Sequence, residues 1–443
     1  MTPIIQICFD ENEQKHMKKA LFTLIYICIC SLSLIATNTV WDNKVYKASV
    51  RTVEFKGPGE RMLYPVIQLG SAQKLILNFD DLDGELKDYQ YTIVHCNYNW
   101  EESTLMQNEY IDGVFNEYIM DNETSFNTYI TYTHYRATFP NYNIKPKLSG
   151  NYILKVYEDG DEENLVLTQR FFVYQNSVGI RAQVQRPTYT RYYDTHHELD
   201  VWVTPGTLKP LNVNTDFKIM YMQNGRWDNA IDNLKPRWFT NGVLDYNYEN
   251  ENVFKAGNEF RFYDTRNVRF GGQQIQRVFQ DSFGVYNAVL YADKDRSLES
   301  YLFYRDYNGH PVIDAEAVDG DVEGDYVWVH FRALTSGQVE GDVYLYGAFT
   351  NWQINERYKL TYNKKKLMYE GKFLLKQGYY NYYYATTKNL KPNTVELEGS
   401  FYQTENDYQI FFYMYSVNLN CDLLVGYKQM NSVFGTSNTE ADE

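Results

Sequence analysis

Apolar and polar side chains alternate residue by residue through much of this chain, and a period of two commits a segment to β-strand. Val327, Val329 and Phe331 fall on one face of such a run while Tyr326, Trp328 and His330 fall on the other. Thr131, Thr133 and Tyr135 alternate in the same way with Ile130, Tyr132 and His134. Between the runs stand Asp83-Gly84, Asp159-Gly160, Asn224-Gly225, Asn241-Gly242 and Asn308-Gly309, pairs that accept the positive φ angles of tight hairpin turns. A short helix near Ser103 to Gln107 is the one helix of note. The expected class is all-β: tandem immunoglobulin-like β-sandwich domains with few short helices.

Composition narrows what such a fold does. The chain carries 43 Tyr, 25 Phe and 7 Trp, so tyrosine alone outnumbers the 42 Lys and Arg. Aromatic rings suit strand cores and cross-strand pairs, but a tyrosine hydroxyl seeks a partner. An excess of Tyr therefore points to half-wet positions and to recognition surfaces as well as to core. With 57 acids the formal net charge is −15. That argues against nucleic acid and anionic membrane surfaces, which call for a basic footprint.

The N-terminus points to export. Met17-Lys18-Lys19 precedes the apolar run from Ala20 to Ala36, the pattern of a secretory signal peptide over residues 1–36 with cleavage near Ala36. Asp10, Glu11 and Glu13 are acids where such a signal is basic, which makes Met17 the expected start. Neither Cys28 nor Cys30 follows the Gly or Ala that a lipoprotein site wants, so no lipid anchor is expected. Export leaves Cys96 and Cys421, read as two separate buried thiols, with a single disulfide as the alternative.

The remainder divides into an N-terminal β-sandwich at 41–175, a second at 176–305, an acidic linker at 306–325, a C-terminal sandwich at 326–430 and a disordered tail at 431–443. The linker assignment rests on seven acids with no Lys or Arg.

Motifs that carry chemistry are missing. His95, His134, His196, His197, His310 and His330 show neither the i, i+4 spacing of a zinc protease nor a Cys-x-x-Cys partner. Asp319-x-Asp321-x-Glu323-Gly324 imitates the first half of a calcium loop, but His330 stands where the bidentate Glu belongs. There is no nucleophile elbow, phosphate loop or dinucleotide fingerprint. The expectation is a protein that is not an enzyme, with no catalytic residue, no cofactor and no metal.

Two resemblances sharpen this. HCNYNWEES at 95–103, EYIDGVFNEYIMDNETSFNTYITYTHYRATFPN at 109–141 and LSGNYILKVYED at 148–159 resemble the type IX secretion system plug protein family of Bacteroidota. Its signature falls here on Trp100, Asn127, Tyr132, His134, Tyr135, Pro140, Gly150 and Tyr152, as structural or partner-binding positions. Read from the residues alone, Gly150 is a turn, Trp100 and Tyr152 are core anchors and Asn127 satisfies buried backbone. The resemblance implies a periplasmic protein, on the inner side of the outer membrane and not inserted in it. The resemblance further implies a protein that is monomeric when free and that docks on the outer-membrane translocon barrel to occlude the periplasmic mouth of the pore.

The second resemblance is shorter. Tyr344 to Trp352, with Leu375 to Tyr382, is similar to the strand-turn signatures of early-set glycogen-binding-like domains. It implies Trp352 as a sugar contact. It also sets up the alternative function, a carbohydrate-binding or general protein-interaction module of the cell envelope.

Overall fold

A computed structural model describes residues 40–58, 64–232, 234–388 and 391–434. The expected signal peptide lies outside these residues, as does 435–443 of the expected tail. The chain is mostly β, in several antiparallel sheets and one nearly closed, barrel-like sheet. The one helix expected near 103–107 is not there: the described α-helices are Gln107–Tyr110, which starts where that stretch ends, and Val213–Asp216.

The first body pairs two sheets. One runs Lys44–Val45, Leu165–Tyr174, Gly150–Glu158, Tyr89–Cys96 and Glu117–Tyr118, with Val66–Gln68 joined in parallel to Leu165–Tyr174. The other runs Val50–Lys56, Leu75–Asp81, Thr133–Phe139 and Asp121–Thr124. Leu77, Phe79, Tyr135 and Phe139 of the second sheet meet Tyr91, Ile93, Leu154 and Phe171 of the first in a shared core.

Gly150–Glu158 and Leu165–Tyr174 are buried almost throughout because the first sheet is covered on its other face too. There Val94, Ile153 and Phe172 pack on Met220, Met222, Phe411 and Leu424 of a second body, with the Phe172 and Phe411 rings stacked at 4.1 Å. A strand covered on both sides reads as a continuous apolar run rather than an alternation, as in Phe171-Phe172-Val173.

The second body is assembled from distant parts of the chain. Gly179–Gln185, His196–Thr204, Val243–Asp245 and Trp238–Thr240 make one sheet. Ile231–Asp232, Phe217–Gln223, Asp407–Ser416 and Cys421–Asn431 make the other. Asn241 and Gly242, at φ 53 and 76°, form the two-residue turn that the Asn-Gly pair predicts between Trp238–Thr240 and Val243–Asp245.

The third body is an eleven-stranded sheet. Its main path is Arg261–Asp264, Gly378–Lys388, Asp342–Tyr346, Lys359–Asn363, Met368–Lys376, Tyr326–Leu334, Tyr286–Leu290 and Ile275–Gln280. Val327, Val329 and Phe331 point into its core, as their alternation requires.

These sheets divide the chain differently from the three expected segments. The hairpin of Asp407–Ser416 and Cys421–Asn431 pairs with Phe217–Gln223, not with strands of 326–400. Ile219 and Tyr221 need Ile410 and Phe412 beside them to close their core, and a pairing over that separation leaves no local mark. Strands between 261 and 290 likewise join the third body rather than the second. Residues 306–325 are no solvated linker: Asp306, Asn308 and Asp325 are buried. Asp325 accepts from Tyr129 N, and Phe126 N donates to Val322 O, which ties this segment to the first body. The described residues from Trp41 onward form one compact unit.

Candidate functional site

The signature residues fall mostly inside. Trp100 is buried in a left-handed turn at φ 67°, its indole edge-on to Phe172 and Trp227 and covered by the Arg170 guanidinium at 4.5 Å. Tyr135 stacks on Phe79, and its hydroxyl accepts from Lys87 N. Tyr152 lies edge-on to His95 and donates to Leu148 O. At Gly150, φ 155°, an added Cβ would sit 2.3 Å from His95 Nε2, so only glycine fits. Pro140 is half-buried, and Asn127 is exposed, turning the chain at φ 57°. Six of the eight are therefore buried.

Tyr132 and His134 do something more specific. Alternation turns them to the face opposite Tyr135, and that face is buried because the third body covers it. His134 Nδ1 lies 2.7 Å from Asp80 Oδ1. The Tyr326 hydroxyl and Lys376 Nζ both donate to Asp80 Oδ2, at 2.7 and 2.8 Å. Lys376 also lies over the Tyr132 ring at 4.2 Å and donates to Asp321 O. Asp80 and Lys376 are each 1% exposed, a fully desolvated ion pair joining the first and third bodies. Nothing in the sequence marked it.

Where the three bodies meet there is a cavity of about 1020 Å³. Lys44, Arg51, Lys56, Arg170, Arg305 and Arg357 line it against Glu54 and Asp306, so its wall is cationic in an acidic chain. Burial holds Arg170 down to about 10 and pushes Glu54 up. Trp352 also lines it but is 5% exposed, packed on Phe260 and Tyr346 with Arg226 over its ring. The flat, open ring face that a surface sugar contact needs is taken up by these neighbours.

A second polar cluster escaped the sequence reading. Glu259, Asp306 and Glu405 are buried, each offering a carboxylate oxygen within 4.8 Å of the others. Phe260 N and Asn308 N donate to Asp306, while Glu405 N and the Tyr301 hydroxyl donate to Glu259. Burial pushes Glu259 up to about 7, and burial with the nearby Glu259 charge pushes Asp306 well above the carboxylate range. The three acids lie far apart in sequence. The local sign was Asp306-x-Asn308-Gly309, which reads as a hairpin turn but here brings Asn308 against Glu405.

Other titratable groups are set for structure. Burial pushes His95, His196 and His197 down to about 4, which leaves them neutral at pH 7. Cys96 and Cys421 are buried free thiols, and burial raises both. No described helix is long and apolar enough to cross a membrane.

Comparison with known proteins now decides the family. The model of the type 9 secretion system plug protein first domain matches residues 50–175, the first body. The crystal structure of a hypothetical protein from Parabacteroides merdae ATCC 43184 matches with TM-score 0.84 and 31% identity, covering 89% of this chain and 100% of that one. The chain belongs to the type 9 secretion system plug protein family.

The likeness to the Parabacteroides merdae protein extends beyond the first body to most of the chain. A Salmonella alpha-2-macroglobulin reacted with methylamine reaches TM-score 0.17 at 10% identity, over 91% of this chain and 24% of that one. The native E. coli alpha-2-macroglobulin reaches 0.17 at 9%, over 90% and 23%. Likeness that slight carries no argument for a plug-family protein. No curated protein matches the sequence.

Proposed function

We propose that this chain is the non-enzymatic periplasmic plug of a type IX secretion system, binding the outer-membrane translocon barrel and closing its periplasmic opening. The observation that carries the reading is the family match over the first body. A stopper for a wide aqueous pore must be stiff. Three bodies joined by a shared aromatic core and a buried ion pair meet that demand. The leader at 1–36 would deliver the chain to the periplasm, and we read the paired sheets of the first and second bodies as immunoglobulin-like sandwiches.

Because six signature residues are buried, contact with the barrel falls to other side chains. Met120, Phe126 and Tyr129 on the first body and Phe283 on the third are large, apolar and exposed, and Tyr129 packs against Tyr286 across the two bodies. The test is affinity capture of the tagged full chain from envelope extracts. The translocon barrel should co-purify, and Phe126→Asp with Phe283→Asp should cut recovery several-fold without changing the melting temperature. Recovery of unrelated soluble proteins alone would end the proposal.

A further inference from the structure

The chain leaves the second body after Val253–Lys255, builds the third, and returns at Asp407–Ser416. Glu259 stands just past the departure and Glu405 just before the return, while Asp306 reaches them on an intervening loop. The neck of this insertion is therefore where the three buried carboxylates converge, their oxygens within 4.8 Å of one another. Calcium takes oxygen ligands at about 2.3–2.6 Å, which places two ligands on opposite sides of the ion about 5 Å apart. Magnesium, at about 2.1 Å, would draw the same oxygens closer and demands stricter geometry.

An independent observation comes from Asn308, which is 0% exposed. Its Nδ2 donates to Glu405 Oε1 at 3.3 Å, while its Oδ1 has no hydrogen-bond partner. Glu259 Oε2 has none either. Buried oxygens are seldom left without a donor, and a cation is one of the few things that satisfies several at once. The nearby guanidiniums are engaged elsewhere. Arg261 and Arg296 both bind the Glu398 carboxylate, and Arg296 reaches Glu259 through its main-chain oxygen. Asp306 also lines the central cavity, which gives an ion a route inward.

We propose that Glu259, Asp306 and Glu405, with the Asn308 amide oxygen, form a calcium site that staples the neck between the second and third bodies. This does not rest on the plug reading, and it is tested without a partner. The full chain, stripped with EDTA, is titrated calorimetrically with calcium chloride and melted in calcium, magnesium or sodium chloride at matched ionic strength. One calcium should bind per chain, and the melting temperature should keep rising with calcium concentration, by several degrees at a hundredfold excess over Kd. Magnesium should do less.

Glu259→Gln keeps the shape and removes one ligand charge. It should weaken calcium binding at least tenfold while the metal-free protein melts no lower than wild type, since a like charge has gone. Calcium that stabilises no more than sodium, or that binds Glu259→Gln as well as wild type through surface acids, would overturn the site. Should that variant not fold, native mass spectrometry of the wild-type chain decides: a retained single calcium supports the site, and its absence refutes it.

Discussion

Two buried polar clusters hold this molecule together, and they solve the problem of buried charge in opposite ways. At the seam between the first and third bodies, Asp80 faces one ammonium, from Lys376, with His134 and the Tyr326 hydroxyl completing its shell. At the neck between the second and third bodies, three carboxylates gather within 4.8 Å. Removing a charge from water costs several kcal/mol, and an opposite charge in good geometry offsets much of that. The seam is complete in the protein itself. The neck gathers like charge, which protons or a cation must relieve. The first arrangement is a clamp, and the second is a place where solution conditions can act.

The largest effect should come from breaking the complete cluster. Lys376→Met leaves Asp80 buried without its ammonium partner, and loss of one member of a buried pair costs about 3–5 kcal/mol. Urea unfolding should show that loss as a lower midpoint. Adding Asp80→Asn removes the stranded charge, so the double variant should recover more than half of it. A single variant that unfolds like wild type would mean that water reaches the seam and that the two clusters are less different than their burial says.

A separate pair of acids tests the opposite case without a metal. Glu198 and Asp200 lie on one face of His196–Thr204 and share the amide of Gln185. Burial, then the Glu198 charge, pushes Asp200 up to about 6. An acid whose folded pKa is raised adds no penalty below its unfolded value. As pH climbs from about 4 to 6 the unfolded state ionises first, so folding stability falls and stays reduced above pH 6. The loss is on the order of 2 kcal/mol. Asp200→Asn should flatten that slope in urea melts taken at several pH values, and an unchanged slope would assign it to other carboxylates.

How much of this was legible in the sequence follows from what is local. Alternation around Val329 located a strand and its inner face, and Asn241-Gly242 located a turn and its φ angles. The plug-family motifs located the first body, since they lie close together and mark packing such as Gly150 against His95. Asn308-Gly309 gave the backbone correctly, both residues at positive φ, but not the purpose. Its turn serves a cluster whose acids come from distant segments. The partner of Asp407–Ser416 was hidden for the same reason: a strand carries its faces in its sequence but not the name of its neighbour. Asp80 and Lys376 carry no local mark either, because their pairing exists only where the first and third bodies pack together.

The smallest effect belongs to a second ion pair at the same seam. Arg136 binds Asp321 with side chains 42% and 25% exposed, within the interface that holds Asp80 and Lys376. Its partners have the same charges, and the same two bodies are joined, so the two pairs differ chiefly in access to water. Half-exposed pairs contribute about 0–1 kcal/mol and are weakened by salt. Arg136→Ala should therefore cost less than about 1 kcal/mol in urea melts, and that small cost should shrink further in high salt. Lys376→Met should keep its full effect there, because screening does not reach a pair at 1% exposure. If Arg136→Ala proved as damaging as Lys376→Met, the seam would owe its strength to a network of charges acting together. The contrast between seam and neck would then rest on geometry rather than on desolvation.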